Sequence, residues 1–180
     1  SPYVIGHYLY WYVKSEMHVK QYNKRFGLLL ELYVVHCGEH REHLIQQQYV
    51  VRNLEAVTNS VLKISKKDSK KRNEKLRQAL AKCRWPKEFE TCISPKHHCS
   101  GIVIEKCKVM DSKQAPLWIE FKNTDAPKVR STRDKNLNLS MAGNHKIIFK
   151  VGDDLRQDQI TLQFLRIVNR VMCNNGNDVR

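Results

Sequence analysis

The chain has 180 residues, of which 41% are apolar and 28% charged. That is enough chain and apolar area for one domain or parts of two, and too much of both for a disordered segment. The formal charge of +14 permits an acidic partner such as nucleic acid, an anionic membrane or a phosphorylated ligand, without choosing among them. The longest apolar run, "FGLLLELYVV", is interrupted by Glu31 and is far shorter than a membrane span needs.

In chain order, Ser1 and Pro2 predict a helix start, followed by Ile5, Leu9, Tyr12 and Val13 at helical spacing. A second helix carries Phe26, Leu29, Leu30, Tyr33 and Val34, and Gly38 is its expected stop. A long pattern from Glu39 to about Ser65 places Leu44, Val51, Leu54, Val57, Val61 and Ile64 on one stripe. The fourth helix, "NEKLRQALAK", is short and basic. It lies in the stretch Lys63 to Lys87, which holds 11 Lys or Arg against two acids. A solvated helix face explains that excess, and a surface for anionic lipid is the alternative; base-stacking aromatics for nucleic acid are missing, so no nucleic-acid partner is expected.

Beyond Trp85 and Pro86 the pattern changes. "FETCISPKHHCSG" reads as loop, then "GIVIEKCKVM" and "APLWIEFKN" alternate as strands and "KIIFKV" makes a third candidate strand. The polar stretch Thr124 to His145 reads as a long hairpin loop. A final helix is predicted from Asp154, its N-cap, with Gln157 in the capping-box position. The expected fold class is α+β: helices at the end of an α-solenoid, then a small antiparallel sheet with one helix packed on it. Six scattered cysteines without a Cys-x-x-Cys pair read as reduced cytosolic thiols. Cys92, His97, His98, Cys99 and Cys107 include zinc-ligand types, but their spacing fits no familiar tetrahedral site. With no initiator Met and a last helix close to Arg180, both ends read as cuts through a longer protein.

In "KIIFKVGDDLRQDQITLQFLRIV", Leu155, Asp158, Leu162, Leu165 and Val168 share one helix face. A carboxylate on an apolar face requires a cation or good donors, and Gly152 permits the tight reversal that lets Asp158 face Lys150 at the end of the preceding strand. A strand lysine steadied by a helix carboxylate is the arrangement with which kinases hold an ammonium against nucleotide phosphates. The bland reading is a partly solvated Asp at a helix edge beside an ordinary surface Lys.

"FKVGDDLRQDQITLQ" is similar to the kinase-domain signature of phosphoinositide 3-kinases and 4-kinases, matching at Lys150 and from Gly152 to Asp158. "EKCKVMDSKQAPLWIEF" resembles the phosphate-binding loop and flanking strands of class I catalytic subunits. "IGHYLYWYVKSEMH" and "RFGLLLELY" resemble the end of their helical domain, and the likeness is nearest to class IA. The resemblance implies residues 1–38 as the end of a helical domain. It implies 39–180 as the start of a catalytic domain, with leading helices over 39–85 and the nucleotide-binding sheet and helix over 86–180.

By position, the resemblance implies that Lys150 contacts ATP phosphates and Asp158 orients it. Met110 and Ser112 would lie over the triphosphate, and Trp118 and Ile148 would wall the adenine. Read without the family, Trp118 and Ile148 are inward-facing strand residues. "ISPKHHCSGIVIEKC" is shorter than the corresponding family stretch, and the loop after Thr124 is longer. Neither an Asp-Arg-His-x-x-Asn catalytic loop nor an Asp-Phe-Gly motif occurs in the sequence, so catalytic residues and Mg2+ ligands are expected outside these residues. On that ground the chain alone is expected to be inactive.

The implied activity of the whole protein is transfer of the ATP γ-phosphate to the 3-hydroxyl of phosphoinositides, phosphatidylinositol 4,5-bisphosphate above all. Implied partners are the lipid substrate, a regulatory subunit and a small GTPase. The implied location is the cytoplasm, with recruitment to the inner face of the plasma membrane. The competing expectation is a truncated, non-catalytic module that binds a regulatory partner or an anionic membrane.

Overall fold

A computed structural model describes residues 2–112, 114–125 and 143–176. The chain divides into two compact units, residues 1–150 and 151–180. The first is α+β, as its sequence pattern predicts. A π-helical turn, Pro2–Gly6, leads into α1 (His7–Ser15), then α2 (Asn23–His36), α3 (His40–Leu62) and α4 (Ser69–Lys82). Among the described residues five strands follow: β1 (Phe89–Glu90), β2 (His98–Ile102), β3 (Lys108–Val109), β4 (Leu117–Asn123) and β5 (His145–Phe149).

The 23-residue α3 joins two cores. Near its start, Leu44 packs with Tyr10 and Val13 of α1, Leu30 of α2 and Cys37 just past the end of α2. Further along, Val50, Leu54, Val57 and Val61 meet Leu76 and Leu80 of α4 and the sheet residues Phe89, Leu117, Ile119 and Phe121. Gly38 lies just past α2 with φ 60°, the left-handed stop that its sequence position predicts.

Every strand pair is antiparallel. β4 is the spine, bonded to β2 and β3 along one edge and to β5 along the other. Its alternation is clear: Leu117, Ile119 and Phe121 are buried in the core, while Trp118 and Glu120 belong to the opposite face. Phe121 meets Phe89 edge-on at 5.3 Å and Trp85 at 6.4 Å.

Several expectations are corrected. In α1 the buried residues are His7, Tyr10 and Val13, while Ile5, Leu9 and Tyr12 are exposed. Tyr10 turns inward with Val13, and the neighbouring Trp11 donates from Nε1 to Gln47 Oε1 at 2.7 Å, so helix pairing overrides the apolar count. Leu29 is likewise exposed and Leu30 buried. On α3 Val50 is buried rather than Val51, and α4 starts earlier than its apolar pattern, at Ser69.

The stretch read as loop contains β1 and the start of β2, and the single strand read from "GIVIEKCKVM" is two. A 3-10 turn at Ile104–Lys106 separates them. There Cys107 Sγ donates to Val103 O at 3.3 Å and the thiol lies in the core. The long connection from Thr124 to His145 joins β4 and β5 as a hairpin, and its residues 126–142 lie outside the described residues.

The second unit carries α5 (Arg156–Asn174). It begins two residues after the predicted Asp154 cap, with Leu155 at the N-cap position. Asp154 still serves the helix start: its Oδ1 accepts the Arg156 backbone N–H at 3.1 Å, and its carboxylate holds the Arg156 guanidinium at 2.6 Å. None of the residues of α5 is buried. Asp158, expected on an inward face, is exposed, as are Leu155, Leu162 and Leu165. Their stripe finds no cover within this one-helix unit. Among the described residues, no helix is long and apolar enough to cross a membrane.

Candidate functional site

The candidate site is one end and one face of the sheet in the first unit. Strand register sets it. Val109 of β3 pairs with Leu117 of β4, and Leu117 pairs with Phe149 of β5. The next residue along each outer strand is therefore at the same end of the sheet. On β3 that residue is Met110, which opens the turn to Pro116; on β5 it is Lys150. The turn is closed by Met110 N–H donating to Pro116 O at 2.8 Å and Ala115 N–H donating to Ser112 O at 3.1 Å. Ala115 is fully buried with φ 47°, a left-handed conformation that costs an L residue about 1 kcal/mol. The turn is held in shape by the packing beneath it. From α4, Asn73 Oδ1 accepts the Val109 N–H at 2.9 Å and fixes the outer edge of β3.

One residue in from that end, Lys108, Trp118 and Ile148 stand side by side across β3, β4 and β5. They lie on the face turned away from the core, since their neighbours Leu117 and Ile119 are fully buried. This corrects the inward-facing assignment. Trp118 is half-buried and Ile148 is 51% exposed. Lys108 Nζ stands 5.7 Å from the centre of the Trp118 ring, within cation–π range. An indole and an isoleucine on an open face offer a flat apolar surface of the kind a heteroaromatic ring covers.

Two positions further along the same face is a polar anchor that the sequence reading missed. Glu120 is 4% exposed, and its Oε1 accepts Asn144 Nδ2–H at 2.7 Å and Lys106 Nζ–H at 3.1 Å. The amide of Asn144 foremost, and then the Lys106 ammonium, hold this carboxyl below its ordinary range against the opposing effect of burial. The alternation of "LWIEFKN" already put Trp118 and Glu120 on one face. The long sequence separation of Lys106 and Asn144 hid the partners.

Of the six predicted ligand contacts, the sheet brings five to one end or its adjoining face: Met110, Ser112, Trp118, Ile148 and Lys150. Asp158 belongs to the second unit, in the first turn of α5. A cationic Lys150, the Ser112 hydroxyl and Lys108 are groups suited to a polyanion. The zinc-type residues are dispersed in role. Cys99 and Cys107 are core residues, and burial pushes the thiols of Cys92 and Cys99 up to about 11 and about 12, far from the thiolate a metal binds. Among the described residues, no group of three or more His, Cys, Asp or Glu is placed to hold a metal ion.

Residues 1–46 match the accessory (PIK) domain of the phosphoinositide 3-kinase family. Over 176 residues, 98% of this chain, the sequence is 40% identical to phosphatidylinositol 3-kinase 2 of Dictyostelium discoideum and 37% identical to phosphatidylinositol 3-kinase 1 of the same organism. The chain spans 9% and 10% of the lengths of those two relatives. The matched accessory domain ends inside α3, and the likeness to the two kinases continues through the sheet and α5. The chain belongs to the phosphoinositide 3-kinase family.

Proposed function

We propose that the protein of which this chain forms part is a class I, class IA-like lipid kinase. It transfers the ATP γ-phosphate to the 3-hydroxyl of phosphoinositides, phosphatidylinositol 4,5-bisphosphate among them, in receptor signalling. In this reading the chain contributes the nucleotide-binding part. Lys150 contacts the phosphates, Asp158 orients its ammonium, Met110 and Ser112 cover the triphosphate, and Trp118 with Ile148 receives the adenine. The observation that carries the reading is the strand register, in which the Met110–Pro116 turn, Lys150 and the Trp118 and Ile148 pair converge on one end of the sheet.

The division of labour follows from the chemistry. The apolar pair desolvates and orients a planar base, while the turn and the lysine meet the anionic tail. Positioning and charge stabilisation are the bulk of what phosphoryl transfer asks of a protein. Magnesium, when bound, supplies neutralisation of phosphate charge. Its ligands and the group that orients the attacking hydroxyl come from outside these residues, so the chain alone does not turn over ATP. A regulatory subunit and a small GTPase are its proposed partners, and the cytoplasmic face of the plasma membrane its proposed place of action.

The test is Lys150→Met in the full-length protein, assayed for ATP-dependent phosphorylation of phosphoinositide vesicles. Turnover is expected to fall at least about a hundredfold, with the melting temperature preserved. Unchanged turnover in a folded variant would remove Lys150 from phosphate binding.

A further inference from the structure

Away from the candidate site, the junction between the first three helices and the sheet contains a cluster of buried imidazoles that the kinase reading does not use. His7 of α1 is fully buried and His40 of α3 is 1% exposed, and their rings are 6.0 Å apart. His40 lies against His43 at 6.1 Å, Tyr3 of the π-helical turn at 4.9 Å and Tyr33 of α2 at 6.5 Å. Tyr8 meets His7 edge-on at 5.2 Å. His7 Nε2 is 3.1 Å from the carbonyl oxygen of Cys92, just past β1. His43 Nδ1 is 3.3 Å from Oε1 of Glu90 on β1, a carboxylate that is 3% exposed and also receives Gln47 Nε2–H at 3.4 Å. Three buried ring nitrogens, His7 Nδ1 and both of His40, have no hydrogen-bond partner.

The charge count is what makes this junction special. Among the described residues, the groups facing the cluster are the phenols of Tyr3, Tyr8 and Tyr33, the Cys92 backbone, the imidazole of His43 and one carboxylate, Glu90. One carboxylate can balance one imidazolium, and it sits beside His43. Among the described residues no carboxylate lies beside His7 or His40, so a proton on either ring brings an uncompensated charge into a buried site.

We infer that His7, His40 and His43 over Glu90 form a pH-sensitive clasp, which fastens the first helices to the sheet near neutral pH and opens on mild acidification. Burial lowers the proton affinity of both His7 and His40, and in His40 the adjoining His7 and His43 lower it further. With folded-state values below the ordinary 6.5, the unfolded or opened chain binds more protons than the closed one as the pH falls. Closure is fully stable above about pH 6.5 and weakens as the pH drops from there through the lowered values. What a proton on His7 or His40 opposes is burial of the ring between the first helices and β1; the His7 hydrogen bond to the Cys92 carbonyl partly offsets that cost and does not cancel it. The clasp belongs to this chain's own packing and does not depend on the substrate of the full-length protein.

The experiment is hydrogen–deuterium exchange of the full-length protein at pH 7.4 and 5.5, corrected for intrinsic rates. Amides of residues 3–15, 40–47 and 89–92 are expected to lose at least tenfold in protection at the lower pH, while those of β4 residues 117–121 keep theirs. His40→Phe is expected to remove most of that difference. Equal protection at both pH values, or a folded His40→Phe protein with the wild-type pH dependence, overturns the inference. Should the variant fail to fold, imidazole C2–H exchange of the wild-type protein, read by mass spectrometry, decides the matter. Titration of His7 and His40 below 6.5 supports the clasp, and titration at or above 6.5 rejects it.

Discussion

Trp118 on β4 pairs directly with Ile148 on β5, on the sheet face turned away from the core. Directly opposed residues of an antiparallel pair project to the same side, so the two form one continuous apolar platform. The Lys108 ammonium lies over the indole. If adenine lies on this platform, Trp118→Ala in the full-length protein raises the KM for ATP about tenfold, near 1.4 kcal/mol, and leaves the KM for lipid unchanged. Initial-rate kinetics at varied ATP checks it, and an unaltered KM for ATP would remove Trp118 from the site.

Glu120 gives a pH prediction whose sign is fixed by its partners. Its carboxyl is held below the ordinary 4.5 by Asn144 and Lys106. A depressed carboxyl stabilises the fold above its unfolded value, and the contribution fades as the pH falls through the folded value. Glu120→Ala is expected to cost about 1–3 kcal/mol at pH 7, with a smaller loss below pH 4. Urea midpoints of the chain at the two pH values test this, and a cost independent of pH would show that the charge is not what matters.

The core offers a sterner mutation. Phe121 is 1% exposed and touches Phe89 and Trp85 edge-on. Phe121→Ala is expected to destabilise the first unit by about 3–5 kcal/mol, read as a fall in the urea midpoint. A change below about 1 kcal/mol would mean the sheet does not rest on the helices through this ring.

Gly6 lies close under a neighbouring ring. A methyl group at its Cα would collide with the Tyr33 ring of α2. Gly6→Ala is expected to displace the tip of the Tyr33 ring and destabilise the chain by about 1 kcal/mol. Gly6→Ala combined with Tyr33→Leu should recover part of that loss, and a double-mutant cycle with zero coupling would refute the contact.

The strands "LWIEFKN" and "KIIFKV" were legible from their β-branched and aromatic residues, but three apolar residues in a row, Leu117 to Ile119 and Ile147 to Phe149, hide which face is turned to the core, and the register came from the pairing. β1 is two residues long, too short to carry a period, and it exists only because β2 is there to pair with. The stripe of α1 misled because spacing says which residues share a face and not which face a neighbour covers. His7 and Tyr10 are buried there while Ile5 is 69% exposed. For the candidate site, the sequence motif supplied Lys150, and resemblance to a family supplied Met110, Ser112, Trp118 and Ile148. The support around them, from Asn73, Ala115 and the Glu120 network, comes from residues far apart in sequence, and spacing alone carries no sign of it.

β4 bonds to strands on both sides of it in the chain, β2 and β3 before and β5 after. During synthesis the α3 and α4 hairpin can form as soon as it emerges, yet its apolar side stays open until Leu117, Ile119 and Phe121 of β4 have left the ribosome and can dock on it. Nascent chains arrested shortly before that point should be strong clients of holdase chaperones, and those arrested well beyond it should let go.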